Sequence, residues 1–236
     1  MNTINKRLFD ICIAARSGDV SPPVQFNVEK VFDYPGSDAA ASRAVELDAL
    51  HLPLAFPEVF SRTNPGFDCI IGNPPWEKLI HKTDSWWSIR KPGLSSLPIG
   101  PMNESIRSLR SNRPDLAAEE RRNASQVETL REAIIKGPFP GIGTGDPDLY
   151  TAFCWRFWAL TREEGRIGVV LPRSALSGSG TLKWRDAILG KGVFGNCTML
   201  TNRAGWVFEE VHPQFTISLT TVHKSLEHAG QVALQG

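Results

Sequence analysis

Two short apolar runs are the clearest predicted strands in the chain. The first, F-D-C-I-I-G, covers residues 67–72, and the second, R-I-G-V-V-L-P, covers residues 166–172. Each run is continuous rather than alternating and ends at glycine or proline, which is typical of parallel strands buried on both faces. We therefore expect two central strands of a parallel sheet.

A helical pattern precedes the second run, and another follows it. Residues 146–165 predict a helix with Asp146 as its N-cap, Pro147 in its first turn and Gly165 at its end. Residues 177–190 predict a second helix, entered through the loop S-G-S-G. A phosphate site at this helix entry and a plain entry loop both stay open.

The remaining predicted elements are shorter or less clearly marked. Residues 3–16 and 37–50 predict short amphipathic helices, and residues 115–136 predict a longer helix with ion pairs at helical spacing. Residues 196–201 and 215–224 predict two late strands. The order strand, helix, strand, helix, strand, strand indicates an α/β fold with a parallel sheet and helices on its faces.

This order divides the chain into three parts. Residues 1–66 form a proline-broken helical and loop segment, residues 67–224 contain the sheet, and residues 225–236 form a C-terminal tail. Within the middle part, residues 77–145 are polar and rich in Ser, Arg and Pro, so we interpret them as an insert. In parallel sheets ligands bind beyond the carboxyl ends of the strands. The residues that follow position 72 and position 172 are therefore the first candidates for a site.

The charge of the insert leaves its role open. Residues 77–145 contain eleven basic and eight acidic residues, so a phosphate contact and a solvated polar surface are both compatible with it. Trp86 and Trp87, near its start, are compatible with a base or DNA contact, but we expect them to pack the insert onto the core.

Composition excludes several classes of site and environment. The net charge is +1, the four cysteines are scattered without a C-x-x-C pair, and the five histidines have no metal-ligand spacing. We therefore expect no disulfide framework and no metal site. No apolar run approaches the ~20 residues of a membrane span. These features predict a cytoplasmic protein.

The residues after the first strand, Asn73-Pro74-Pro75-Trp76, suit one kind of chemistry. The Asn73 side chain offers a neutral acceptor, and prolines offer carbonyl groups without competing N–H donors. Proline rings also hold the preceding residues extended, so the acceptors are rigid. Two acceptors beside the Trp76 ring would grip a planar group that carries –NH₂. Such a site would act by orientation and fixed dipoles rather than by a shifted pKa.

This loop resembles motif IV, (N/D/S)-P-P-(Y/F/W), of the S-adenosylmethionine-dependent amino-methyltransferases. With Asn first and Trp last, it is most similar to the adenine-N6 DNA methyltransferases of type IIG restriction–modification and related phage-defence systems. Further segments follow the order of that family's second half, over roughly residues 45–224. They read L-A-F-P-E-V-F, G-D-P-D-L-Y-T-A-F, G-R-I-G-V-V-L-P-R-S-A-L-S-G-S-G and T-N-R-A-G-W-V-F.

The resemblance implies a role for each residue of the loop. Asn73 and Pro74 would hold the N6 amine of a flipped adenine, Trp76 would stack on the base, and Pro75 would shape the loop. Arg173 and Ser174 fall where the next strand lines the pocket and are weaker candidates. His212 lies in a loop that faces the site in the family, where a DNA contact and a solvated position both stay open. Asp68 matches a common residue of the strand and is assigned no catalytic role.

The first half of the family's fold is not recognisable. The family binds S-adenosylmethionine with a first strand, a Gly-rich turn and an acidic residue after the second strand. The sequence G-I-G-T-G at 141–145 follows two prolines, so we interpret it as a loop. The 66 residues before the first strand are too few for three strands with crossovers. We therefore expect an incomplete Rossmann-like class I methyltransferase sheet, strands 4 to 7 with their helices, in which residues 67–72 form an open edge.

The expected function is transfer of a methyl group from S-adenosylmethionine to adenine N6 in double-stranded DNA, in restriction–modification or phage defence. The missing half predicts a partner, either a second chain or an absent N-terminal half that carries the cofactor site. It also leaves open whether the isolated chain is active. Two other functions stay open: methylation of a protein glutamine amide, which has the same –NH₂ geometry, and a non-catalytic module that binds DNA or a partner.

Overall fold

The computed structural model of the chain describes residues 6, 7, 10, 11, 33, 36–46, 50–142, 147–209, 214–227 and 232–235. The strands are β1 (Phe67–Gly72), β2 (Thr161–Pro172), β3 (Val193–Thr201), β4 (Thr216–His223) and β5 (Val232–Gln235). The helices are α1 (Ser37–Glu46), α2 (Leu52–Ala55), α3 (Pro57–Phe60), α4 (Thr83–Ser88), α5 (Ile99–Asn112), α6 (Pro114–Ile135), α7 (Leu149–Leu160), α8 (Ser174–Ser177) and α9 (Leu182–Lys191). Short 3₁₀ turns lie at Leu94–Ser96, Ser179–Thr181 and Arg203–Gly205.

The five strands form one mixed sheet in the order β1-β2-β4-β3-β5. β1 is parallel to β2 and β3 is parallel to β5, whereas β4 is antiparallel to both of its neighbours. The α/β class is therefore confirmed, but the prediction of a parallel sheet is wrong for β4. The connection from β3 to β4 contains no described helix longer than one 3₁₀ turn, and a parallel return would need a helical crossover.

β1 is an edge strand, and its burial differs from the prediction. Ile71 is 84% exposed and Cys69 is also exposed, so this strand is not buried on both faces. A continuous apolar run indicates two covering layers, but nothing in the run itself shows whether the second layer belongs to this chain. Among the described strands, β1 pairs on one side only, which agrees with the edge predicted for residues 67–72.

The core lies on one face of the sheet, under α7 and α9. It contains buried residues of β2 together with Trp158 from α7 and Trp184 from α9. The indole N–H of Trp184 donates to the Cys154 carbonyl oxygen at 3.2 Å and ties the two helices together. On the opposite face, Ile71 lies beside Gly168, which pairs with the exposed Thr221 of β4. This second face is therefore only partly covered by the described residues.

The helix before β2 is shorter than predicted. α7 begins after Asp148 rather than Asp146, which lies outside the described residues, and it ends at Leu160. Gly165 does not end the helix but lies within β2, where the pairing with β1 shifts by several residues. A Cβ atom at Gly165 would lie 2.5 Å from the Thr161 methyl carbon, so only glycine fits this irregular part of the strand.

The insert is a helical unit with its own apolar centre. α6 confirms the helix predicted at 115–136, while α4 and α5 were not predicted. Trp86 and Trp87 are buried, but they pack with Leu94 and Ile106 of the insert rather than onto the sheet core. That part of the prediction is therefore wrong.

An ion pair joins α5 to α6 within the insert. Arg110 donates to the buried Glu120 carboxylate through Nε at 2.8 Å and through a terminal nitrogen at 2.5 Å. The Arg110 guanidinium holds the pKa of Glu120 at about 2, well below its ordinary value. The two helices are therefore fixed to each other near the end of the insert that faces the sheet, where His81 approaches the same carboxylate.

The other predicted elements are found with shifted ends. The helix predicted at 37–50 is α1 and ends at Glu46, the helix at 177–190 is α9 and begins at Leu182, and the late strands are β3 and β4. The helix predicted at 3–16 lies largely outside the described residues. The predicted tail contributes β5, which pairs with β3. Within the described parts of the chain, no helix is long and apolar enough to cross a membrane.

Candidate functional site

One edge of the sheet brings together the residues that follow several strands. β1 and β2 are parallel, with Gly72 beside Val169, so both strands end at this edge. β4 runs the opposite way and starts there, since Ile217 pairs with Pro172. β3 ends at the same edge, where Thr201 pairs with Thr216. The carboxyl ends of β1, β2 and β3 therefore lie at one edge of the sheet, as predicted, although β4 is antiparallel.

The loop after β1 presents Asn73 to solvent. Asn73 is exposed, and its carboxamide forms no hydrogen bond with any other described residue. Pro74 is buried and Pro75 is exposed, so the first proline anchors the loop while the second lies at its surface. The Asn73 oxygen is therefore available as an acceptor, and the rigid backbone on its carboxyl side limits the freedom of the loop.

Trp76 is fixed between the core and a cleft. Its indole N–H donates to the Val170 carbonyl oxygen at 3.4 Å, and its ring meets the edge of Phe208 at 6.3 Å with an interplanar angle of 88°. It is half-buried against the core cluster and also lines the cleft described next. The ring is therefore held by several contacts before any ligand binds.

A cleft of about 660 Å³ lies between this edge of the sheet and the insert. Its aromatic wall includes Trp76, Trp86 and Phe215. The hydrogen-bonding or charged side chains in its lining are Glu77, Lys78, His81, Lys82, Ser85, Asn123, Asp148, Tyr150 and Ser174. Ligand pockets in proteins commonly combine an apolar lining with a few polar groups and fall in this range of volume.

The two candidates after β2, Arg173 and Ser174, have different surroundings: only Ser174 lines the cleft. Ser174 lines the cleft, and its hydroxyl lies 3.1 Å from the phenolic oxygen of Tyr150. Burial raises the pKa of Tyr150 above its ordinary value. The phenol therefore stays neutral well above pH 7 and can donate a hydrogen bond. Arg173 is not among the cleft-lining residues; its backbone N–H donates to the Thr216 carbonyl oxygen at 3.0 Å. His212 lies outside the described residues.

Two pairs of residues, His81 with Asn123 and Lys78 with Asp148, line the cleft. His81 Nδ1 lies 2.9 Å from the Asn123 side-chain oxygen, which joins the start of the insert to α6. The backbone of Asp148 pairs with that of Lys78 in an isolated antiparallel β-bridge. Burial raises the pKa of Asp148, while the nearby Lys78 opposes the shift. The cleft thus contains a partly desolvated carboxyl group beside a cation.

Most of these lining residues were not candidates on sequence grounds. Tyr150 belongs to the helix predicted at 146–165, for which no site residue was proposed, and His81 and Asn123 are 42 residues apart in the insert. The sequence did contain one indication for residues 77–82: they follow the Asn-Pro-Pro-Trp loop directly and must therefore lie near it. The contact of α6 with this segment depends on the tertiary fold of the insert, so no local sequence pattern predicts it.

A buried asparagine organises the loop after β3. Asn202 is fully buried, and its side-chain oxygen accepts hydrogen bonds from the backbone N–H groups of Val207 at 3.1 Å and Phe208 at 3.0 Å. Its Nδ2 donates to the Phe208 carbonyl oxygen at 2.8 Å, and its backbone N–H donates to the Phe215 carbonyl oxygen at 3.1 Å. Asn202 therefore positions both Phe208, which contacts Trp76, and Phe215, which lines the cleft.

Asp68 has structural partners only. Its carboxylate accepts hydrogen bonds from Arg162 Nε at 2.6 Å and from Arg62 at 3.0 Å. These two arginines lower the pKa of Asp68. The triad joins β1 to the start of β2, and Asp68 does not line the cleft.

The described residues offer neither a metal centre nor a cradle for S-adenosylmethionine. No group of three or more His, Cys, Asp or Glu side chains among them could hold a metal ion. The described residues before β1 are helices and connections without a strand, so they do not form the strand and Gly-rich turn that such a cofactor requires. Of the sequence G-I-G-T-G, residues 143–145 lie outside the described part.

Comparisons with known proteins identify no family. No protein-family model matches the chain. A search of curated proteins likewise finds no significant match.

Proposed function

We propose that the chain is the target-base half of an adenine-N6 DNA methyltransferase. The observation that carries this proposal is the exposed Asn73 carboxamide at the end of β1, three residues before Trp76. Trp76 lies in the wall of the cleft, whereas Asn73 is not among the lining residues and stands outside it. The sequence resemblance assigns the same two residues to the amine and to the ring of a flipped adenine. The proposed setting is restriction–modification or phage defence, with double-stranded DNA as the partner.

The residues of the chain would act by holding the amine in one orientation. The Asn73 oxygen and a proline carbonyl would each accept one N–H of the exocyclic –NH₂ group, while Trp76 stacks on the ring. Accepting both hydrogens favours a more tetrahedral nitrogen, whose lone pair then points away from the two acceptors. Fixed dipoles and orientation of this kind can lower a barrier by several kcal/mol. No side chain needs to remove a proton before transfer.

The cleft favours a nucleobase over a glutamine amide as the substrate. Its volume of about 660 Å³ and its wall of Trp76, Trp86 and Phe215 suit a large planar ring. Base-on-aromatic stacking provides about 1–3 kcal/mol per base, which is comparable to the few kcal/mol lost when a base leaves a duplex. A glutamine side chain would leave most of these aromatic surfaces without a partner.

The methyl donor is proposed to come from outside the described residues. S-adenosylmethionine finds no cradle there, while the β1 edge beside Asn73 is open and Ile71 is 84% exposed. An unpaired strand edge readily accepts a further strand. We therefore propose that a second chain, or a half of the protein that precedes this segment, pairs with β1 and brings the cofactor to Asn73.

One other function is compatible with the lack of a cofactor cradle among the described residues. A chain that holds a base but no cofactor could be a non-catalytic module that binds DNA and a partner. In that case Asn73 and Trp76 would still bind an unpaired adenine. The two functions differ in whether a completed assembly transfers a methyl group.

A competition experiment tests the proposed substrate. The chain is bound to a fluorescein-labelled single strand that contains adenine, and the anisotropy is followed as competitors are added. Adenosine should compete, whereas N6,N6-dimethyladenosine should compete at least about tenfold less well, because it lacks both N–H donors. A glutamine-containing tripeptide should not compete. Competition by the tripeptide alone would favour the amide substrate, and equal competition by both nucleosides would remove the role given to Asn73.

A further inference from the structure

The loop after β3 exposes a large aromatic side chain beside the cleft. Trp206 is 65% exposed, although an indole of this size is normally packed against other side chains. The sequence T-N-R-A-G-W-V-F, which contains it, belongs to the resemblance, but Trp206 has no part in holding the target amine. Its exposure therefore calls for a separate explanation.

Trp206 is exposed but held in place. Its indole N–H donates to the Thr201 carbonyl oxygen at 2.7 Å, which fixes the ring relative to the end of β3. The preceding Gly205 has a φ of 71°, a conformation that other residues rarely adopt, and it ends the 3₁₀ turn Arg203–Gly205. Asn202 holds the following residues, as described above. An ordered aromatic side chain loses little conformational entropy when it binds a ligand.

The same loop forms part of the cleft wall. Phe208, two residues after Trp206, contacts the Trp76 ring, and Phe215 lines the cleft while its carbonyl oxygen bonds to Asn202. Trp206 therefore lies in a loop whose described residues contact Trp76 and contribute to the cleft wall. A ligand that extends out of the cleft at this edge would pass near it.

We propose that Trp206 stacks on a nucleobase of the DNA strand next to the flipped adenine. This proposal rests on the function proposed above and extends the site beyond the cleft. Stacking would replace part of the base–base contact that is lost when adenine leaves the duplex. Arg203, exposed in the same turn, supplies a cation for the adjoining phosphate. A nucleic acid is favoured over a protein because an exposed cation, Arg203, adjoins the exposed indole, a combination that suits a base and its phosphate.

The test uses the full chain and a duplex whose adenine faces an abasic site, so that the base is already unpaired. A pyrrolocytosine next to the adenine reports stacking by loss of its fluorescence. Trp206→Ala should weaken binding about 5- to 150-fold, the range expected for one stacked base, and should abolish the quenching. Trp206→Phe should retain most of both. Phe153→Ala, at an exposed aromatic residue of α7, serves as the matched control and should change neither.

Two contrary outcomes are distinguishable from each other. If the wild-type chain binds this duplex and Trp206→Ala binds it equally well with unchanged quenching, the role of Trp206 is wrong while the proposed function stands. A Trp206 that contacts only a protein partner would give that result. If the wild-type chain binds no adenine-containing DNA, both proposals fail. Circular dichroism and the thermal midpoint of each variant show whether a loss of binding reflects loss of the fold.

Discussion

Replacing Asn73 by alanine is expected to lower methyl transfer about 10²- to 10³-fold in an assembly that supplies the cofactor. The substitution removes one of the two acceptors that orient the amine, and loss of a single preorganised hydrogen-bonding group of this kind has an effect of that size. The fold should be unchanged, because Asn73 is exposed and its side chain bonds to no described residue. The measurement is the rate of N6-methyladenine formation by mass spectrometry, together with the thermal midpoint.

A matched control separates this effect from a general loss of polarity. Asn103 is also exposed and lies on α5 of the insert, outside the cleft lining, so Asn103→Ala should retain full activity. Asn73→Asp is informative as well, since it keeps an acceptor but adds a negative charge. If Asn73→Ala retains more than a tenth of the wild-type rate, the assignment of this residue to the amine is wrong.

The second large effect is expected at Asn202. Asn202→Ala should reduce the free energy of unfolding by about 2–4 kcal/mol, because it leaves two backbone N–H groups and one carbonyl without their partner in a poorly solvated loop. The substitution should also weaken binding of adenine-containing DNA, since Phe208, which contacts Trp76, would lose its side-chain anchor, while the backbone hydrogen bond from residue 202 to Phe215 is kept. Urea unfolding measures the first effect, and fluorescence anisotropy measures the second.

Asn196 provides the comparison for this prediction. It is half-buried on β3, and its Nδ2 donates to the Thr198 hydroxyl at 3.2 Å, while its side-chain oxygen has no hydrogen-bond partner among the described residues. Asn196→Ala should therefore change the free energy of unfolding by less than about 1 kcal/mol. Equal losses at the two positions would show that Asn202 is not a special anchor of the loop.

The position of the site at a sheet edge was predictable from the sequence, whereas the shape of the cleft was not. Asn73 and Ser174 follow apolar runs with strand patterns, so the rule for carboxyl ends of parallel strands places them at one edge. The position of β1 at the edge of the described sheet was also predicted, because the residues of this sequence before it are broken by prolines and poor in strand patterns. The rest of the cleft depends on long-range packing of the insert, which brings Trp86 and Asn123 opposite the sheet.

The burial of β1 shows why an apolar run can mislead. Ile71 and Cys69 satisfy the pattern of a fully buried strand, yet both are exposed in this chain. A strand is apolar on each face that another layer covers, and the sequence pattern is the same whether that layer belongs to the same chain or to another one. The direction of β4 was missed for a different reason: the parallel sheet was predicted from the order of the elements, whereas the connection from β3 to β4 contains no described helix longer than a 3₁₀ turn.

The most direct test of the account is to find where an unpaired base binds. An oligonucleotide that carries one photoreactive 8-azidoadenine, which keeps the N6 amine, at an unpaired position is bound to the chain and irradiated, and the cross-linked peptides are identified by mass spectrometry. The account predicts a cross-link in the peptide that contains Trp76, absent from Trp76→Ala and not replaced by one at Trp155, which lies outside the cleft lining. Efficient cross-linking that leaves the Trp76 peptide unmodified would contradict it.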